Sequence, residues 1–98
     1  MPGNVLEKAI VLVVDDQPAT LHLLIDALEA DDVTVLVALD GQGALDTAAR
    51  LPPDLILLDA VMPGMDGFET CRALKRGPAA DIPVIFMTGL EDTGHIGG

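Results

Sequence analysis

Four residues of this 98-residue chain are placed where they could do chemistry: Asp15 and Asp16 in tandem, Asp59, and Thr88. Each stands at the end of an apolar run: Ile10 to Val14 before the acidic pair, Leu55 to Leu58 before Asp59, and Val84 to Met87 before Thr88. Three carboxylates brought together repel one another, so they must take up protons or gather a divalent cation. Oxygen donors without Cys or His favour Mg²⁺ or Mn²⁺ over zinc. An Mg²⁺ ion held by one or two carboxylates keeps positions open for water and phosphate oxygens, which suits phosphoryl transfer. Asp59 ends its run alone and precedes a Pro-Gly loop, so its carboxylate is placed as a nucleophile, while the tandem Asp15 and Asp16 suit metal binding. Thr88 offers a hydroxyl that could bond a phosphoryl oxygen.

These residues are far apart in sequence, and only a particular arrangement of elements unites them. Ile10 to Val14 is a continuous β-branched and leucine run, the mark of a strand buried on both faces. Pro18 takes an early helical position, and Leu21, Leu24, Ile25 and Leu28 follow at the spacing of one helical face. Val33 to Ala38 reads as a second strand, Asp40 and Gly41 as a turn, and Gln42 to Arg50 as a short helix ended by Pro52 and Pro53. Leu55 to Leu58 forms a third strand, Ala60 to Met65 a loop, Asp66 to Arg76 a third helix, and Val84 to Met87 a fourth strand. The βαβαβαβ order predicts an α/β fold, an open parallel sheet with helices on both faces. In such a sheet ligands bind beyond the carboxyl ends of the strands, where Asp15, Asp16, Asp59 and Thr88 converge.

Composition narrows the field. A chain of this length makes one domain, with residues 89–98 expected to be irregular. Half of the residues are hydrophobic but only 2% are aromatic, so the core must be aliphatic. Five basic against sixteen acidic side chains give a net charge of −11, which argues against contact with nucleic acid or an anionic membrane. No apolar run approaches the roughly 18–20 residues that span a bilayer. The single cysteine, Cys71, rules out an internal disulfide and fits a reducing, cytoplasmic setting.

Val13-Val14-Asp15-Asp16, Leu57-Leu58-Asp59 with Met62-Pro63-Gly64-Met65-Asp66-Gly67, and Pro83 to Thr88 together resemble the receiver domain of two-component response regulators, over about residues 8 to 94. The resemblance implies a flavodoxin-like sheet of order 2-1-3-4-5 and a phosphoacceptor at Asp59. It implies Mg²⁺ bound directly by Asp16, mainly through water by Asp15, and by the main-chain carbonyl of Val61. Thr88 is implied as the hydroxyl that senses the phosphoryl group, a sensor histidine kinase as the donor, and an effector domain beyond the C-terminus. The family pattern continues with a fourth helix, a fifth strand carrying a Lys, an aromatic switch residue and a fifth helix. Lys75 and Arg76 precede the fourth strand, so neither matches that Lys. The sequence therefore reads as a receiver domain truncated before the fifth strand. Such a chain is expected to self-associate through the exposed fourth strand or a bared sheet face.

Other residues have simpler readings. Asp66 is expected to cap the third helix, Met62 and Met65 to pack their loop onto the core, and His22 and His95 to be exposed. Cys71, three residues from both Phe68 and Leu74, is expected to be buried. An aspartate-nucleophile phosphatase would also form an aspartyl phosphate, but it needs a second Asp where this chain has Val61, so no enzyme is expected. The alternative function is a receiver-like interaction module, or a fragment, that does not signal by phosphorylation.

Overall fold

A computed structural model describes residues 9–62 and 64–87. Strands β1 (Ile10–Val14), β2 (Thr34–Ala38), β3 (Leu55–Asp59) and β4 (Val84–Met87) alternate with helices α1 (Pro18–Glu29), α2 (Gly41–Arg50) and α3 (Gly67–Lys75). The strands form one sheet in the order β2-β1-β3-β4, and every pair is parallel. The α/β expectation holds in class, strand order and element count.

Side chains alternate across the sheet, so each strand feeds two cores. Leu12, Val14, Ile56 and Leu58 point to one face, where Ala44 and Ala48 of α2 and Leu74 of α3 close over them. Val11 and Val13 point to the other and meet Leu21 of α1. Leu55 and Leu57 share that second face but remain half-buried. On this face α1 covers Val11 and Val13 of β1, and the more open part lies over β3.

Element boundaries moved by about one residue, for local reasons. The Asp40 carboxylate accepts the Gly43 N–H at 2.7 Å, so α2 starts at Gly41 instead of Gln42. Asp66 and Glu69 form a reciprocal capping box, with the Glu69 N–H donating to Asp66 at 2.9 Å and the Asp66 N–H to Glu69 at 3.0 Å. Asp66 thus caps α3, as expected. At the far end of α3 the Lys75 ammonium donates to the carbonyls of Ile82 at 2.7 Å and Ala80 at 3.3 Å, tying the helix to the approach to β4. Phe68 and Phe86, the chain's two phenylalanines, pack across α3 and β4 with centroids 4.8 Å apart and planes tilted by 36°.

Candidate functional site

The site is built at the carboxyl end of the two central strands. Asp15 directly follows β1 and prolongs its pairing, its N–H donating to the Ala38 carbonyl at 3.1 Å. Asp59 is the last residue of β3. Because β1 and β3 are register neighbours, with Val14 opposite Leu58, their ends come level and the two carboxylates meet. Oxygens of Asp15, Asp16 and Asp59 all lie within 4.8 Å of one another. Asp15 and Asp59 are each 2% exposed, whereas Asp16 is half-buried.

Local hydrogen bonds fix the orientation of the two buried carboxylates. Asp15 Oδ1 accepts the Gln17 N–H at 2.8 Å, a turn that leads into Pro18 at the start of α1. Asp59 Oδ1 accepts the Val61 N–H at 3.0 Å in the same manner. The loop after Asp59 then returns to α3, where the Gly67 N–H donates to the Ala60 carbonyl at 3.1 Å. Gly64 turns that loop with φ at 75°, a conformation that side-chain-bearing residues rarely adopt. Met62, 5% exposed, anchors the loop to the core as expected, and Met65 is half-buried.

Three carboxylates at this separation concentrate negative charge where solvent screens two of them poorly, and a small divalent cation relieves that repulsion. The donor set is all oxygen, which fits a hard cation. Four positions singled out in the sequence can thus be placed: Asp15, Asp16 and Asp59 come together, and Val61 sits in the adjoining loop with its side chain 69% exposed. Thr88, His95 and the irregular end expected over 89–98 lie outside the described residues. Met87, which precedes Thr88, is the register partner of Asp59.

His22 is exposed, as expected. Cys71 is half-buried instead of buried: it packs against the core under α2 and α3, but the neighbouring Phe68 is 53% exposed at the rim. Two packing residues at the contact between α2 and α3 escaped the sequence reading. Thr70 is fully buried and donates its hydroxyl to the Asp66 carbonyl at 2.9 Å, and Gly41 packs against that hydroxyl and the Met65 side chain. Both roles depend on α2 meeting α3, which no local pattern announces.

The profile of the response regulator receiver domain matches residues 11–96. Response regulator PleD of Caulobacter vibrioides is 51% identical over 88 residues, covering 89% of this chain and 19% of that protein. The DNA-binding response regulator MtrA of Mycolicibacterium smegmatis is 37% identical over 83 residues, 85% of this chain and 36% of the relative. The chain thus spans well under half of these relatives. Among solved structures, the N-terminal domain of a response regulator receiver protein from Methanoculleus marisnigri JR1 superposes with a TM-score of 0.79 at 36% identity, covering 90% of this chain and 76% of that one. The receiver domain of sensor histidine kinase PA1611 from Pseudomonas aeruginosa PAO1, described with a magnesium ion coordinated in its active-site cleft, gives 0.80 at 25% identity over 93% of this chain and 75% of that one. No helix among the described residues is long and apolar enough to cross a membrane. With its parallel sheet, its acidic cluster and a profile match over most of its length, the chain belongs to the response regulator receiver domain family.

Proposed function

We propose that this domain receives a phosphoryl group on Asp59 from the phosphohistidine of a sensor histidine kinase, in an Mg²⁺-dependent step of two-component signalling. The observation that carries this reading is the convergence of Asp15, Asp16 and Asp59 within 4.8 Å at the carboxyl ends of parallel strands. Those three carboxylates and the Val61 carbonyl would hold the Mg²⁺, with Mn²⁺ as a substitute. Bound there, the ion supplies positive charge to the phosphoryl oxygens. A carboxylate oxygen of Asp59 attacks the phosphorus; a P–O bond forms, the P–N bond breaks, and its electron pair returns to the imidazole. The Val61 N–H holds Oδ1 of Asp59, which fixes the carboxylate plane for an in-line approach. Thr88, next in sequence after the residue opposite Asp59, is assigned as the hydroxyl that senses the transferred group.

The acyl phosphate then biases a two-state surface read by an effector domain. With a net charge of −11, this domain itself is assigned no nucleic-acid contact and no membrane contact, and a cytoplasmic location follows from its place in the relay. Incubation with acetyl phosphate and Mg²⁺, followed by intact mass measurement, tests the reading. One added phosphoryl group that is lost in Asp59→Asn and without Mg²⁺ supports it. Labelling that survives Asp59→Asn contradicts it, and a chain that never labels favours the interaction-module alternative.

A further inference from the structure

Gly67 opens α3 at its first helical position, directly behind the phosphoacceptor. Its backbone is not in the left-handed region, and alanine has the higher helix propensity, so local conformation alone would favour Ala there. The neighbourhood forbids it. A Cβ at position 67 would collide with the Asp59 carbonyl oxygen and would fall 2.6 Å from the Ala60 Cα and 2.9 Å from the Asp59 carbonyl carbon. All three are main-chain atoms, so no side-chain rotation relieves the contact. The opposing side is also fixed, because the reciprocal Asp66–Glu69 capping box holds the first turn of α3.

We infer that Gly67 is a positioning residue for the Asp59 carboxylate and the Val61 main chain, an inference that rests on the metal-dependent phosphoacceptor reading. The glycine lets α3 abut the backbone of Asp59 and Ala60, and its N–H to the Ala60 carbonyl closes the loop that carries Val61. A methyl group there displaces the Asp59–Ala60 peptide, and the 3.0 Å bond from the Val61 N–H to Asp59 Oδ1 is lost with it.

The test compares Gly67→Ala with Gly41→Ala in the full 98-residue chain. Gly41 is as tightly packed, but a Cβ there meets the Thr70 and Met65 side chains, not the backbone of Asp59. Amide hydrogen exchange in the metal-free proteins, and NMR titration with Mg²⁺ alone, supply independent readings. Trimethylamine N-oxide favours the compact state and is added to every sample if Gly67→Ala is marginally folded. The expected result is loss of protection at the Val61 N–H, with Mg²⁺ affinity at least tenfold weaker in Gly67→Ala and within about twofold of the parent in Gly41→Ala, in line with the 10–100-fold typical when support of metal ligands is removed. Equal effects of the two substitutions, or an unchanged Val61 N–H in Gly67→Ala, overturn the inference. A parent chain that takes no Mg²⁺ at this cluster overturns the metal reading instead, and the metal-free exchange comparison still decides the positioning role.

Discussion

At the scale of residues, the three carboxylates differ in what their surroundings ask of them. Asp15 and Asp59 are buried and held by neighbouring amides, while Asp16 is the half-buried member that reaches the cluster from the rim. Replacing Asp16 should therefore weaken a bound cation with little cost to the core. Mg²⁺ at about ten times its dissociation constant should stabilise the native state by ~1.4 kcal/mol, or raise the melting temperature by roughly 5–10 °C for a domain of this size. Asp16→Asn should abolish most of that rise. An equal rise in the variant, or from Na⁺ at matched ionic strength, would show general screening of a −11 chain instead of a site. The acidic trio was legible in the sequence because strand ends in a parallel sheet share one rim, so residues ending apolar runs must converge. Gly41, Thr70 and the exposure beside Cys71 were not legible, since each depends on how one helix sits against another element.

At the scale of elements, strand register brings the carboxylates together and side-chain caps fix where α2 and α3 begin. The Asp66–Glu69 box fixes where α3 begins, and hence how its first turn meets Asp59. Asp66→Ala should destabilise the domain by about 1–2 kcal/mol, as loss of an N-cap usually does, measured as a lower urea midpoint with unchanged slope. No change in the midpoint would mean that packing alone holds α3. In the strands, Ile56 is fully buried at the centre of the α2/α3-side core. Ile56→Ala should cost about 2–5 kcal/mol, a large share of the roughly 5–15 kcal/mol available to a domain. A loss below about 1 kcal/mol in urea unfolding would contradict the packing described. The apolar runs made the strands plain from sequence, and Pro18 marked the start of α1. The one-residue shifts at α2 and α3 came from side-chain caps, which extend or stop a helix by a single hydrogen bond.

At the scale of the molecule, sheet order and covering helices decide what remains outside. Among the described residues β4 is paired on one side only, by β3, and Ile85 on it is 52% exposed. Leu55 and Leu57 are half-buried on the face that α1 shares. An apolar edge with open backbone groups templates pairing with another chain, so the 98-residue chain should sediment at the mass of two chains or more, and Ile85→Lys should return it to one. A parent chain that stays single at micromolar concentration would contradict this. The α/β class and the two-sided core followed from alternation of strands and helices, whereas the extent of cover on each face could not be read from any segment alone. The central claim, that Asp59 accepts a phosphoryl group beside Mg²⁺ held by Asp15 and Asp16, is tested most directly by NMR titration with beryllofluoride, a phosphoryl mimic. Shifts centred on Asp59, Ala60 and Val61 that require Mg²⁺ and disappear in Asp59→Asn are the result the structure predicts. Shifts that persist in Asp59→Asn, or a spectrum unchanged by beryllofluoride with Mg²⁺ present, would contradict it.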